Sequence, residues 1–278
     1  RTNTLRKSQA ISTKGLSMTQ TIVIRVAQMN AIVGNIEANL KVIEATCETA
    51  RAQGVDVVLT PELSLIGYPP EDLLLRPALH KKLRKATDVL KNASHGLVLC
   101  VGLPTSISNE SSDWEKRGET ACDPLLHNSL AIFTDGELST IYHKRSLPNY
   151  EVFDERRYFK SGKDLCVIDV RGRKIGVLIC EDVWVSSIVD LTCAQGVDCI
   201  VVANASPFAE NKADERLVHI GRRSRDNNIP IVYANLIGGQ DDLIFDVNLS
   251  SKHISSSASM STLVKLISFL IFFNLNFL

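Results

Sequence analysis

The amino-acid sequence predicts an α/β fold of two β-α-β-α-β halves, which form two sheets with helices on the outside. Its 278 residues are 45% hydrophobic and 22% charged, the ordinary composition of a globular chain. The pentapeptide Ala-Gln-Gly-Val-Asp occurs twice, at 52–56 and 194–198. Each copy ends an amphipathic segment at glycine and leads into an apolar run, the pattern of a helix, a terminating glycine and a strand. The elements around both copies follow the same order, which indicates an internal repeat.

Apolar periodicity places the individual elements. In the first half the predicted order is strand 22–28, helix 37–52, strand 55–59, helix 79–91 and strand 97–103. In the second half it is strand 174–179, helix 187–194, strand 197–203, helix 215–227 and strand 231–234. Between the halves, Asp135-Gly136 separates strands 128–133 and 138–143 and predicts a hairpin. The polar stretch 106–123 predicts a surface loop, and Gly238-Gly239 predicts a turn too short to cradle a phosphate.

Charge and cysteine content exclude several classes of function. The chain has 31 basic and 31 acidic residues and a formal net charge of zero, which argues against a dedicated binder of nucleic acid or of membrane surfaces. Its seven cysteines include no C-x-x-C pair, which argues against a disulfide framework and a zinc ribbon and favours a reducing, cytoplasmic setting. The six histidines form no H-x-x-x-H or H-E-x-x-H pair, so no metal site is predicted.

The two ends differ in composition from the rest of the chain. Residues 1–17 are basic, rich in hydroxyl groups and free of acids, typical of an organelle transit peptide or of upstream sequence translated from a gene model. After residue 246 the chain becomes Ser-rich and then apolar, as expected for a membrane anchor, a frame change or intron read-through. The apolar run is shorter than the ~20 residues that a span requires, so the anchor is the less favoured interpretation.

Three side chains that can take part in catalysis, a carboxylate, an amine and a thiol, each follow a predicted strand. Glu62 follows 57–61, Lys144 follows the hairpin, and Cys180 follows 175–179. Loops at the carboxyl ends of strands carry active residues in folds of this kind. Taken singly, each has an ordinary structural explanation: a capping or solvated glutamate, a surface lysine, and an inert buried thiol. Only their combination indicates a site.

The sequence segments around these residues resemble those of a known family. Pro61-Glu62-Leu63, His143-Lys144 and Ile179-Cys180-Glu181-Asp182 resemble the Glu-Lys-Cys triad of the nitrilase (carbon–nitrogen hydrolase) superfamily. Longer stretches at 62–74, 147–159, 204–208 and 238–241 are similar to the glutaminase domain of glutamine-dependent NAD⁺ synthetases. The resemblance covers 21–246 and implies a nitrilase-type α-β-β-α sandwich that lacks its C-terminal strands. The expected division is a leader at 1–17, a carbon–nitrogen hydrolase domain at 18–246 and an aberrant tail at 247–278.

The resemblance implies a role for each residue of the triad. Cys180 would attack the side-chain amide of glutamine, with its pKa lowered by Lys144 and by a helix start after Glu181. Glu62 would carry the protons, and Lys144 with the N–H after Cys180 would hold the oxyanion. A Cys–His scheme using His143 has no supporting signature in the chain.

The same resemblance implies a substrate pocket. Tyr150, Phe153, Glu155 and Ser206 would line the glutamine site, with Glu155 orienting Lys144 or binding the substrate ammonium group. Tyr68 would lie where ammonia leaves. Packing is the competing role for each of these side chains.

The expected activity is hydrolysis of L-glutamine to glutamate and ammonia, which feeds ATP-dependent NAD⁺ synthesis from deamido-NAD⁺. The glutaminase step would need no cofactor, whereas ATP and Mg²⁺ belong to a synthetase domain whose Ser-Gly-Gly-x-Asp-Ser pattern does not occur here. The resemblance also implies a homo-oligomer. Two alternatives stay open: a stand-alone amidase or nitrilase acting on another C–N bond, and an inactive truncated fragment.

Overall fold

Two β-sheets pack face to face at the centre of the structure, with helices against their outer faces. The computed structural model describes residues 21–106, 126–210, 212–245 and 264–269. The predicted leader, most of the predicted loop at 106–123, and residues 246–263 and 270–278 of the tail region lie outside these ranges. The facing sheets share one apolar core, in which Ile24 and Leu59 of the first sheet belong with Val177 and Val201 of the second. Burial of this apolar surface is the main force that holds the layers together.

The first sheet has six strands in the order β12-β1-β2-β3-β4-β5. The strands are β1 (Ile22–Ala27), β2 (Val57–Leu59), β3 (Val98–Ser106), β4 (Leu126–Thr134), β5 (Glu137–His143) and β12 (Val264–Phe269). β12, β1, β2 and β3 run parallel, and β3, β4 and β5 form an antiparallel meander. The carboxyl end of β2 and that of β5 thereby deliver Glu62 and Lys144.

The second sheet has four strands in the order β6-β7-β8-β9. They are β6 (Val167–Val170), β7 (Arg173–Ile179), β8 (Cys199–Asn204) and β9 (Ile231–Asn235). β6 is antiparallel to β7, whereas β7, β8 and β9 are parallel. Cys180 therefore follows a central strand whose residues from Ile175 onward are fully buried.

Helices cover the outer face of each sheet. α1 (Ile36–Ala52) and α2 (Pro77–Ala93) pack on the first sheet, while α4 (Ser186–Cys193) and α5 (Lys212–Asn227) contribute buried residues to the core of the second. A single turn, α3 (Glu155–Tyr158), lies in the connection between the sheets. Asn35 caps α1 by accepting a hydrogen bond from the Ala38 N–H at 3.1 Å. Within the described ranges, no helix is long and apolar enough to cross a membrane.

The predicted α/β architecture and its order of elements are confirmed, and most bounds agree within a few residues. The sequence pattern missed β6, which has only four residues. The predicted turn at Gly238-Gly239 is wrong, because β10 (Gly238–Gln240) pairs with β11 (Leu243–Phe245) and the chain turns at the two aspartates between them. β12 was not predicted either. It pairs with β1 from Ile22↔Val264 to Ala27↔Phe269, a long-range partnership that local periodicity does not reveal.

A close backbone approach fixes the turn that carries Glu62. A Cβ atom added to Gly102 in β3 would overlap Pro61 O and Leu63 N, and would lie 2.8 Å from the Glu62 carbonyl carbon. The Gly102 carbonyl also accepts a hydrogen bond from the Leu65 N–H at 3.0 Å. Only glycine allows the two segments to pack this closely.

We predict that Gly102→Ala lowers the free energy of unfolding by about 1–3 kcal/mol, because the new methyl group must displace backbone rather than a flexible side chain. Urea denaturation measures the change. Gly239→Ala is the control, since its Cβ would meet its nearest atom, Leu243 O, at 3.4 Å, and its effect should stay within about 0.5 kcal/mol. Equal midpoints for Gly102→Ala and the wild-type chain would contradict the steric argument.

Candidate active site

Glu62 lies in the turn after β2 with 1% of its surface exposed. Its Oε1 accepts hydrogen bonds from Lys144 Nζ and Asn128 Nδ2, both at 2.7 Å. Its Oε2 accepts one from the Ala205 N–H at 3.0 Å. A buried carboxylate needs such donors to remain charged. The following residue, Leu63, has φ +47°, so the turn is sharp and strained.

Lys144 follows β5 and is fully buried between two carboxylates. Its Nζ donates to Glu62 Oε1 at 2.7 Å and to Glu155 Oε1 at 2.8 Å. Burial by itself would lower the pKa of Lys144, but the charges of Glu155 and Glu62 more than reverse this and raise it well above the ordinary value. The ammonium group therefore stays protonated.

Glu155 is the first residue of α3, and its Oε1 accepts hydrogen bonds from both Lys144 Nζ and the Tyr68 hydroxyl, the latter at 2.9 Å. Its Oε2 is buried without a hydrogen-bond partner in the described part of the chain. Burial raises the pKa of Glu155 to about 7, with Lys144 acting in the opposite direction. Glu155 therefore titrates close to neutral pH.

Cys180 begins a single 3-10 turn (Cys180–Val183) directly after β7. Its φ of +43° is rare for a residue with a side chain, and such strain is common where a nucleophile is presented at a turn. The thiol is buried, and the charges of Glu62 and Lys144 both act on it. Burial, followed by Glu62, raises the pKa of Cys180 well above its ordinary value, and Lys144 only opposes this. The prediction of a lowered thiol pKa is therefore wrong, because it omitted burial and the nearby carboxylates.

Tyr150 lies exposed near Cys180, and the half-buried Phe153 packs against its ring. Their rings meet edge to face with centroids 5.5 Å apart, and the Tyr150 hydroxyl donates to Glu181 Oε2 at 3.0 Å. Tyr150 is 47% exposed, whereas Ser206 is buried. The Asn235 side chain holds Ser206 by accepting from its N–H at 2.8 Å and donating to its carbonyl at 3.1 Å.

Tyr68 connects the carboxylate cluster to a neighbouring cavity. The cavity has a volume of about 210 Å³, and both Tyr68 and Glu155 line it, together with Pro69, Asp72 and Arg157. The Tyr68 ring is buried and packs edge to face against Phe245. Burial raises the pKa of Tyr68, so its hydroxyl remains a donor.

Two groups at the site were not predicted from the sequence, the Asn128 side chain and the Ala205 N–H. Asn128 opens a predicted strand that becomes apolar from Leu130, and its amide at the start of a buried strand is the signal that could have found it. The Ala205 N–H carries no sequence signal, because every residue except proline has one.

His143 contacts Ser129 and His127, and no contact with Cys180 is found in the described part of the chain. Its Nδ1 lies 2.8 Å from Ser129 Oγ, and its ring stacks on that of His127 with the ring centroids 4.1 Å apart. Burial, followed by the neighbouring His127, lowers the pKa of His143 to about 4. In the described ranges no group of three His, Cys, Asp or Glu side chains is arranged to hold a metal ion.

The cluster brings together the parts that hydrolysis of an acyl–nitrogen bond requires. It holds a thiol, a carboxylate that can accept its proton, and an ammonium group for a developing oxyanion. The three come from loops of two different sheets, so only the folded chain assembles them.

Comparisons with known proteins find relatives that cover most of this chain. A glutamine-dependent NAD(+) synthetase of Xylella fastidiosa is 40% identical over 232 residues, which cover 82% of this chain and 40% of that protein. The structure of a glutamine-dependent NAD+ synthetase from Acinetobacter baumannii in complex with ADP superposes with a TM-score of 0.71 at 38% identity, covering 80% of this chain and 39% of that one. The chain thus spans about 40% of the length of these relatives.

The fold is shared more widely. An amidase of the nitrilase superfamily from Nesterenkonia superposes with a TM-score of 0.66 at 24% identity, covering 80% of this chain and 79% of that one. The sequence profile of the carbon-nitrogen hydrolase family matches residues 23–267, which extends past the predicted domain end to include most of β12. The chain belongs to the carbon–nitrogen hydrolase family.

Proposed function

We propose that this chain is a glutamine amidohydrolase, which releases glutamate and ammonia and supplies the ammonia to NAD⁺ synthesis. The observation that carries the proposal is the buried contact of Lys144 with both Glu62 and Glu155 beside Cys180. The similarity to glutamine-dependent NAD(+) synthetases over most of the chain supports glutamine as the substrate.

In the first step, Glu62 takes the proton of Cys180 as the sulfur attacks the side-chain carbonyl carbon of glutamine. The raised thiol pKa favours this order, because the resting cysteine is protonated and becomes a thiolate only as substrate is engaged. Glu62 Oε2 accepts a single hydrogen bond, from the Ala205 N–H, in the described part of the chain. A carboxylate oxygen accepts two, so Oε2 has room for the thiol proton.

Lys144 stabilises the tetrahedral intermediate. An ammonium group has three N–H donors, and two of those on Lys144 are held by Glu62 and Glu155. The third is directed to the oxyanion, together with the N–H of Glu181. Such a donor contributes on the order of 10²–10³ in rate.

Ammonia leaves when Glu62 returns its proton to the amide nitrogen and the C–N bond breaks, which leaves a thioester on Cys180. Water then attacks the thioester as Glu62 accepts one of its protons. Glutamate departs, and the proton returns to the sulfur. Every atom is supplied by substrate, water and these side chains, so hydrolysis by these steps uses no metal or cofactor.

The residues around the triad have separate proposed roles. Tyr150, Phe153 and Ser206 line the glutamine pocket, and Glu155 orients Lys144. The buried Oε2 of Glu155, which has no hydrogen-bond partner among the described residues, accepts from the substrate amide. Tyr68 marks the exit for ammonia, since the 210 Å³ cavity begins at its side chain.

The proposed partners are those that the family resemblance implies. ATP and Mg²⁺ would act in a synthetase portion, and the hydrolase would assemble with further copies of itself. A reducing, cytoplasmic setting fits the free thiols of the six cysteines in the described ranges.

We predict that Cys180→Ala abolishes ammonia release from L-glutamine, a loss of at least about 10³-fold, because no other group can form the thioester. Cys193→Ala, which removes a partly exposed thiol at the end of α4, should retain full activity. A coupled glutamate dehydrogenase assay measures the ammonia. Release that persists in Cys180→Ala would refute the nucleophile. A folded wild-type chain that hydrolyses other amides but not glutamine would favour a stand-alone amidase, and one without any activity would favour an inactive fragment.

We further predict that kcat/KM falls about tenfold per pH unit below pH 7, because protonation of Glu155 removes a negative charge that holds Lys144. The sign follows from the raised pKa: the active carboxylate form exists above about 7 and is lost as pH falls. Glu155→Gln should be slow at every pH and should lack this acid limb. The exposed Glu151→Gln serves as the control and should keep the wild-type profile. An unchanged acid limb in Glu155→Gln would assign the titration to another group.

A further inference from the structure

Asp182 is a fully buried carboxylate whose oxygens accept four hydrogen bonds. Oδ1 accepts from the N–H groups of Arg145 at 3.0 Å and Ser146 at 2.7 Å. Oδ2 accepts from the Tyr142 hydroxyl at 2.8 Å and from the Ile179 N–H at 3.1 Å. A carboxylate can accept about four such bonds, so Asp182 is saturated and has no free position for a substrate proton.

These donors lie on both sides of two reacting residues. Tyr142 and Arg145 flank Lys144 in the sequence, and Ile179 and Asp182 itself flank Cys180. A single carboxylate therefore anchors the chain before and after the lysine, and ties the turn that begins at Cys180 to the strand residue before it.

The two anchored segments belong to different sheets. Tyr142 is in β5 of the first sheet, and Ile179 ends β7 of the second. Facing sheets contact each other through packed side chains, and such packing allows the sheets to slide slightly against one another. Hydrogen bonds are directional and resist this movement. Asp182 thus adds a directional polar link between the sheets at the end where the chemistry occurs.

The backbone of Cys180 also requires support. Its φ of +43° is unfavourable for a residue with a side chain and persists only where the surroundings impose it. The bond from the Ile179 N–H to Asp182 Oδ2 closes the 3-10 turn around Cys180 and imposes this conformation.

We propose that Asp182 is a positioning residue that sets the distance between the Cys180 thiol and the Lys144 ammonium group. This inference rests on the proposed function for the consequence it has in catalysis. The four hydrogen bonds of Asp182 go to residues that flank Lys144 and Cys180, so it acts through the chain segments that carry these two residues.

The test is Asp182→Asn, which keeps the shape of the side chain. An amide has only one acceptor oxygen, so in either orientation at least one of the flanking backbone N–H groups loses its partner. We expect kcat with L-glutamine to fall about 10²-fold, as for a misplacement of about 1 Å, while KM stays within about threefold. The pH profile of Cys180 alkylation by iodoacetamide, followed by mass spectrometry of the Cys180 peptide, should shift as well.

The control is Asp56→Asn. Asp56 is also a buried aspartate: it accepts a hydrogen bond from the Val23 N–H at 2.8 Å and forms an ion pair with Arg171 at 2.9 Å. It precedes β2, at the end of that strand away from the site. Asp56→Asn should lower the urea midpoint but leave kcat and the alkylation profile unchanged.

Tyr142→Phe removes only one of the four hydrogen bonds to Asp182 and tests the proposal if Asp182→Asn does not fold. We expect a drop in kcat of about threefold to tenfold and a smaller shift of the alkylation profile.

Wild-type kcat and an unchanged alkylation profile in Asp182→Asn, or in Tyr142→Phe where the first variant does not fold, would overturn the proposal. An equal loss of kcat in Asp56→Asn would overturn it too, since general destabilisation would then be the cause. Alkylation needs no glutamine, so it decides the positioning role even if the wild-type chain does not hydrolyse glutamine and the proposed function fails.

Discussion

The buried ion cluster of Glu62, Lys144 and Glu155 is the constraint on which the rest of the structure depends. Removing one partner from a buried ion pair costs about 3–5 kcal/mol, because the remaining charge has no water to solvate it. Two carboxylates around one ammonium group leave an excess negative charge, which Asn128 and the Ala205 N–H solvate at Glu62 and Tyr68 solvates at Glu155. The cluster is therefore stable only where all of these donors meet.

The sandwich architecture brings those donors together. Glu62 and Lys144 follow strands of the first sheet, Cys180 and Ala205 follow strands of the second, and α3 supplies Glu155 from the connection between them. Close packing at Gly102 fixes the Glu62 turn, and Asp182 joins the Lys144 segment to the Cys180 turn. Side-chain bonds hold the charged groups of Glu62 and Lys144, while close packing and hydrogen bonds from distant segments support the strained turns at Leu63 and Cys180.

The raised pKa of the Cys180 thiol changes the chemistry that the site implies. A lysine next to a cysteine normally indicates a preformed thiolate, but here burial, together with Glu62 and Glu155, outweighs Lys144 and raises the pKa of the Cys180 thiol. Glu62 is then a base that acts during attack, and not merely a partner for Lys144. A protonated resting thiol is also less prone to oxidation, since the thiolate is the reactive form.

Local pattern determined much of the molecule: the alternation of strands and helices, the hairpin at Asp135-Gly136, and the placement of Glu62, Lys144 and Cys180 at strand ends. These features depend on neighbouring residues, which a sequence displays directly. Tertiary structure alone decided the pairing of β12 with β1, the involvement of Asn128 and Asp182, and the protonation of Cys180. Glu62 meets Lys144 across 82 positions and Ala205 across 143. A pKa depends on burial and on distances in space, so it is settled only when these remote segments come together.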